Sequence, residues 1–485
     1  MTQQELEKYL WGAATALRGT IDAGDYKQYI FPLLFFKRIC DVYDEEFQLA
    51  LTESDGDLEY AAFAENHRFV IPEGAHWKDV RETTTNVGMA IQHAMREIEK
   101  ANPDTLEGIF GDASWTNKNR LSDATLINLI EHFSQQVLSL ANVADDKLGN
   151  AYEYLIKEFA DDSGHTAAEF YTNRTVVKLM TKIMDPQPGE SVYDPTCGSG
   201  GLLLNCALHL KEEGKEYRNL KLYGQEINLI TSAIARMNMF MHGIEEFKIV
   251  RGDTLAEPGL VEHDQLKTFN VILANPPYSI KSWNRDAFLN DPWGRNIWGL
   301  PPQGCADYAF QQHIQKSLDI NNGRSISLWP HGILFRDSEA EMRRNMIESD
   351  VVETVIGLGP NLFYNSPMEA CLLITNNNKP AHKKGKILII NAVKDVKQEK
   401  SISFLEKEHI DKIYAVYKKF EPIDGYAIVV DKEEVLARKA SLNIAQYVSN
   451  VESKSDGISL DTALENWEKA SDVLSQSLNA LLGTK

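Results

Sequence analysis

Two stretches decide how the chain is read. One is Ser191-Val-Tyr-Asp194-Pro-Thr-Cys-Gly198-Ser-Gly200-Gly201, running into the apolar segment Leu202–Leu210; the other is Phe269-Asn-Val-Ile-Leu-Ala-Asn275-Pro-Pro-Tyr278. Each is a short apolar run of strand length that stops at a turn. The glycines of the first turn let the backbone approach a ligand closely, and the helix predicted over Gly201–Leu210 aims free N–H groups at it. The spacing is not GxGxxG, and no GxxxxGK[ST] occurs in the chain, so neither a dinucleotide nor a P-loop phosphate is indicated. In the second turn, two prolines lock φ and remove two donors, which leaves a rigid turn rich in acceptors.

Working outward, further strand-like runs are predicted at Leu220–Tyr223, Lys248–Val250, Ser325–Leu328, Val352–Ile356 and Cys371–Thr375, with helical stretches such as Leu229–His242 between them. This alternation predicts a mostly parallel sheet with helices on both faces, whose ligands sit beyond the carboxyl ends of the strands. Gly224-Gln225-Glu226 stands at the second such end and Gly252-Asp253-Thr254 at the third. Glu226 can accept from both hydroxyls of a ribose, and Asp253 from an exocyclic adenine amine. Either acid alone also fits a solvated loop or a helix cap; a glycine turn and two acids at three successive strand ends make a stronger pattern.

At the fourth end, Asn275 offers an amide oxygen beside the Pro276 carbonyl, a pair of acceptors for one planar amine. Tyr278 offers a stacking face. The long insertion after it, Ser279–Ala306, holds three of the eight tryptophans of the chain, Trp283, Trp293 and Trp298, with Arg285 and Arg295. Such interleaving suits an unstacked base; equally, these side chains could simply pack the loop.

Residues 1–155 read as an all-helical N-terminal domain. Leu6, Tyr9, Leu10, Ala13 and Leu17 recur at helical spacing, the apolar segment Tyr29–Tyr43 follows, and helical patterns cover Val87–Lys100, Leu121–Leu140 and Leu148–Phe159. Residues 156–445 hold the sheet. Residues 446–485 form a helical tail with Leu460, Leu464, Trp467, Ala470, Leu474, Leu478 and Leu481 on one stripe, which asks for a partner surface on this chain or on another.

The chain of 485 residues is 43% hydrophobic and 25% charged, which excludes a disordered or disulfide-stapled protein. Five scattered cysteines, never spaced CxxC, point to a reducing cytosol and to no metal site. No apolar run approaches the ~18 residues that span a bilayer, and no signal peptide is read at the N-terminus, so a soluble cytoplasmic protein is expected. The net charge of −20 is concentrated early: residues 1–150 carry 13 basic against 25 acidic side chains, residues 381–485 carry 16 of each. A chain that gripped duplex DNA alone would show a basic surplus.

Taken together, DPTCGSGG, YGQEI, GDT and NPPY resemble the S-adenosylmethionine-dependent, amino-methylating DNA methyltransferases. Their order behind a helical domain is similar to the methylation subunit of type I restriction-modification systems. The resemblance implies a Rossmann-like α/β methyltransferase sheet. It implies that Glu169, Phe170, Tyr171, Thr172, Asn173 and Arg174 contact the cofactor together with Asp194, Thr196, Gly198, Ser199, Gly200, Glu226 and Asp253. Asn173 stands where the family usually has proline. The segments Ala306–Phe310, Trp329–Phe335 and Phe363–Asn365 look like later motifs of that subunit.

The implied reaction is methyl transfer to the N6 amine of an adenine flipped out of duplex DNA, with Asn275, Pro276, Pro277 and Tyr278 as catalytic residues. Accepting the amine hydrogens at Asn275 and the Pro276 carbonyl favours a pyramidal nitrogen with a localised lone pair. The implied partners are DNA, a specificity subunit and a restriction subunit, with two methylation subunits per specificity subunit. No recognition domain, nuclease or ATPase signature is legible in the chain. Two rival readings share these motifs: an N5-glutamine protein methyltransferase, and a silent scaffold that keeps the fold without turnover.

Overall fold

The computed structural model describes residues 1–162, 172–362, 368–399 and 402–448, and near the C-terminus 464, 467–472, 474 and 477. Five long helices lead: α1 (Gln3–Leu17), α2 (Lys27–Glu53), α3 (Val87–Ala101), α4 (Asp123–Phe133) and α5 (Asp145–Asp162). α1 opens on a capping box in which the Thr2 hydroxyl accepts from the Glu5 N–H and the Glu5 carboxylate accepts from the Thr2 N–H. The apolar run Tyr29–Phe36 lies on α2 and is buried throughout.

The helix expected over Leu121–Leu140 ends early, at Phe133. Side chains of α2 take over the backbone groups that a longer helix would have paired. Arg38 donates to the Leu138 and Val143 carbonyls, and the Asp41 carboxylate accepts from the Leu138 N–H. The chain then turns back into α5.

Beyond Arg174 the alternating pattern forms one nine-stranded sheet. Its strands are β1 (Ser191–Asp194), β2 (Lys221–Glu226), β3 (Phe247–Arg251), β4 (Val271–Ala274), β5 (Arg324–Pro330), β6 (Val352–Leu358), β7 (Ala370–Asn376), β8 (Lys386–Ala392) and β9 (Ala427–Asp431), in the spatial order β9-β8-β6-β7-β5-β4-β1-β2-β3. Five neighbouring pairs are parallel and three antiparallel. β7 runs antiparallel between β5 and β6. Only residues 359–369 separate it from β6, too few for the helical crossover that a parallel return requires. β8 and β9 were not among the expected strands.

Helices α6 (Arg174–Met184), α7 (Gly201–Glu212), α8 (Leu229–Met241) and α9 (Asp307–Lys316) pack against this sheet. The helical N-terminal part shares a core with it: Ile234, Met237, Phe240 and Met241 of α8 are buried among side chains of α2 to α5. The order of strands reverses at β1, with β2 on one side and β4 on the other. Tyr193 is in register with Tyr223 and with Ile272. That switch point sets the turn after β1 beside the turn after β4.

Among the described residues no helix is long and apolar enough to cross a membrane. In the C-terminal stripe, Leu464, Trp467 and Leu474 are exposed; Leu460, Leu478 and Leu481 lie outside the described residues.

Candidate active site

The glycine turn is pinned from below. Asp194, at the end of β1, is buried, and its Oδ1 accepts from the Thr196 N–H at 3.0 Å. Burial pushes its carboxyl up, to about 8, and the neighbouring Glu226 charge pushes the same way. Gly198 and Gly200 have φ of +53° and +82°, and a Cβ on Gly200 would lie 2.9 Å from Met239 Cε. Glycine is therefore favoured at Gly200 by its backbone conformation, while the Met239 methyl would have to move aside for a Cβ. The Ser199 carbonyl accepts from Asn238 of α8 at 3.1 Å.

Glu226, at the end of β2, grips this turn. Its Oε2 accepts from the Gly198 N–H at 3.0 Å and its Oε1 from the Asn228 N–H at 2.9 Å. Two backbone donors thus orient the carboxylate toward the glycine turn. Asp253 is committed locally: its Oδ1 accepts from the Leu255 and Ala256 N–H groups at 2.8 and 3.2 Å.

At the end of β4, Asn275 stands in the same cleft as the glycine turn, with Thr172, Arg174, Asp194, Thr196 and Gly198. Its Nδ2 donates to Thr172 Oγ1 at 2.9 Å, across 103 residues of chain. Its Oδ1, the atom expected to receive the target amine, accepts from the Tyr278 hydroxyl at 2.5 Å. Tyr278 is half-buried, its ring centroid 6.4 Å from that of Trp329, and burial drives its hydroxyl pKa well up, so the group stays a donor. In this state Tyr278 caps Asn275. Pro276 is buried and Pro277 half-buried.

Glu169, Phe170 and Tyr171 lie outside the described residues, as does the expected segment Phe363–Asn365. Asn173 replaces the rigidity of a proline with hydrogen bonds: its Oδ1 caps α6 through the Thr175 N–H at 3.0 Å, and its Nδ2 donates to the Ser403 carbonyl at 2.9 Å. Arg174 forms an ion pair of 2.9 Å with Glu153, a cleft residue on α5 that the sequence reading missed. Its signal is an acid set among the inward-facing Leu148, Ala151, Tyr152, Leu155 and Ile156.

Two of the expected DNA contacts are corrected. Arg295 is 1% exposed; it pairs with Asp291 at 2.6 Å and donates to the Thr254 and Leu255 carbonyls at 2.8 and 2.7 Å. It therefore braces the loop that carries Asp253. Trp298 is also buried, with its N–H on Gln312 and its carbonyl on Asn345. The other three are half-buried in the loop itself: Trp283 donates to the Gln303 carbonyl, Arg285 to the Pro301 carbonyl, and Trp293 lies under the Arg295 guanidinium. Aromatic and guanidinium side chains serve this loop chiefly as its own packing.

Glu153, Thr172, Arg174, Asp194 and Asn275 thus line one cleft with the glycine turn. The fold is that of the S-adenosylmethionine-dependent methyltransferases. A protein of Listeria monocytogenes assigned to the class I enzymes of that kind superposes with a TM-score of 0.51 at 13% identity, over 86% of this chain and 98% of that one.

The pattern that defines the N-6 DNA methylase family matches residues 143–456, and that of the HsdM N-terminal domain matches residues 6–133. The chain belongs to the N-6 DNA methylase family, in the branch of the methylase subunits of type I restriction enzymes. It is 30% identical to the MjaVII methylase subunit of Methanocaldococcus jannaschii, over 99% of this chain and 84% of that one. It is also 30% identical to a type I restriction-modification methyltransferase subunit of Streptococcus thermophilus, with a TM-score of 0.79 over 92% of this chain and the whole of that one.

Proposed function

We propose that this chain transfers a methyl group from S-adenosylmethionine to the N6 amine of an adenine flipped out of duplex DNA, as the modification subunit of a type I restriction-modification complex in the cytoplasm. The observation that carries the reading is the shared cleft: Asn275 and the glycine turn line it together, and Thr172 bonds Asn275.

Glu153, Asp194 and Arg174 would hold the amino-acid end of the cofactor, Glu226 its ribose. Bound there, the cofactor supplies an activated methyl group, so the protein's task is alignment. Asn275 Oδ1 and the Pro276 carbonyl would accept the two amine hydrogens, which favours the pyramidal nitrogen of the transition state over planar adenine. For the amine to reach Asn275, the Tyr278 hydroxyl must leave it. The extrusion of the base is what brings the amine into reach at all.

With a net charge of −20 the chain meets repulsion from the DNA backbone. We therefore assign sequence reading and much of the DNA grip to a specificity subunit, with two copies of this chain per specificity subunit and a restriction subunit joining them. The test incubates the chain, with and without that subunit, with methyl-labelled cofactor and duplex DNA, and digests the products to nucleosides. Label in N6-methyladenine, dependent on the specificity subunit and lost in Asn275→Ala at unchanged cofactor affinity, is the expected result. Label in protein glutamine would favour the rival substrate; cofactor binding without any transfer would favour the silent scaffold.

A further inference from the structure

The residue directly after the Asn275–Tyr278 turn is held in an uncommon conformation. Ser279 has a φ of +52°, in the left-handed region, which a residue with a Cβ adopts at a cost. Its N–H meets a buried charge cluster. The Ser279 N–H donates to Asp307 Oδ1 at 2.7 Å. Asp307, at the start of α9, is wholly buried, and its other oxygen accepts from Arg336 Nη2. Arg336 Nε donates to Glu339 Oε2 at 2.8 Å, and Glu339 is wholly buried too. The Arg336 carbonyl in turn accepts from the buried Arg343 at 3.1 Å.

Asp307 and Glu339 approach Cys305 closely enough to suggest a metal site, but the Arg336 guanidinium already donates to both carboxylates. Buried ion clusters of this kind add little stability, because desolvation offsets most of the attraction. What the cluster does supply is one oriented carboxylate oxygen aimed at one backbone N–H.

We propose that Asp307 is a positioning residue for methyl transfer: held by Arg336 and Glu339, it locks Ser279 in the left-handed conformation and so sets the direction in which the Asn275–Tyr278 turn presents its acceptors. The proposal rests on the reading of Asn275 as the residue that holds the target amine, and it adds the device that aims it. Asp307 acts through a single peptide group. A displacement of about 1 Å at a reacting centre can cost on the order of 100-fold in rate, so a slack turn is expected to bind ligands and transfer slowly.

The experiment uses the full chain assembled with its specificity subunit and measures single-turnover methylation beside cofactor titration. Asp307→Asn is expected to lower the transfer rate by about 100-fold with cofactor affinity unchanged. Glycine enters the left-handed region without a Cβ penalty, so adding Ser279→Gly to Asp307→Asn should recover most of the lost rate. A merely structural role would not yield to that rescue. Arg336→Lys, which keeps the charge and loses the fork, should fall between Asp307→Asn and the native chain, and it carries the same test should Asp307→Asn not fold. A native rate in Asp307→Asn, a parallel loss of cofactor affinity, or no recovery with glycine each overturns the proposal, provided that Asn275→Ala is inactive. If Asn275→Ala methylates normally, the amine-holding reading has failed and the proposal falls with it.

Discussion

Removing the Glu226 carboxylate tests the cofactor site where its geometry is most explicit. The side chain accepts from the Gly198 N–H at 3.0 Å and the Asn228 N–H at 2.9 Å before any ligand arrives. Hydrogen bonds to a charged group contribute about 1.5–3 kcal/mol each where they are shielded from water. Glu226 is only half-buried, so water can replace part of what the turn loses, and the lower end applies to the empty protein. For the cofactor, the ribose hydroxyls lose their charged acceptor and the turn its clasp together, so Glu226→Ala should raise the dissociation constant by about 10- to 150-fold. Glu226→Gln retains one acceptor oxygen but sets an amide donor against one of the two N–H groups. Its loss should be about 10-fold, between the native chain and Glu226→Ala. The assay is calorimetric titration of S-adenosylmethionine into each full-length variant, with thermal unfolding alongside. Native affinity in Glu226→Ala would refute the ribose assignment outright. Lowered thermal stability with unchanged affinity would reduce Glu226 to a clasp for the glycine turn.

Three further outcomes follow from the same geometry. Burial lifts the Asp194 carboxyl to about 8, far above its ordinary 3.8; between those values the folded chain binds a proton that the unfolded chain releases. Stability from this group should therefore fall as pH rises through that window, and cofactor binding, which favours the ionised carboxylate, should release a proton below about 8. Calorimetry in buffers of different ionisation enthalpy measures that proton, and Asp194→Asn should abolish it. Tyr278→Phe removes the hydroxyl that competes for Asn275 Oδ1; the apparent KM for target DNA should drop by about 2- to 10-fold with the transfer rate retained, whereas an abolished rate would mean that the hydroxyl takes part in chemistry. Arg295→Ala strands the buried Asp291 carboxylate, so stability should fall by about 3–5 kcal/mol while the salt dependence of DNA binding by the complex stays native; a shallower salt slope would restore Arg295 as a phosphate contact.

The turns of the candidate site were legible in the chain because their parts are local. A strand that ends in DPTCGSGG must turn at Gly198 and Gly200, both of which have positive φ, and the apolar run after it has to become a helix. NPPY stops the Val271–Ala274 strand by the plain geometry of proline. The acids at the ends of β2 and β3 follow from the same alternation of strand and helix, and the helical character of the first 155 residues from apolar spacing.

Tertiary structure decided everything that joins distant residues. Periodicity cannot say that β1 and β4 are neighbours; the reversal of strand order does, and it brings Thr172 to Asn275, while the connection from β4 to β5 folds Asp307 back onto Ser279. Composition could not tell whether Arg295 and Trp298 face DNA or their own loop, because a guanidinium with aromatic neighbours makes the same contacts in either setting; the loop's fold over Thr254 and Gln312 settled it. Glu153 entered the cleft only because α5 packs against α8 and Arg174, at the start of α6, pairs with it, and Tyr278 became a cap on Asn275 rather than an open face because its ring found burial near Trp329. Backbone preference acts over a few residues, so the turns could be read in advance; burial and charge pairing depend on which surfaces meet, and only the folded chain brings those surfaces together.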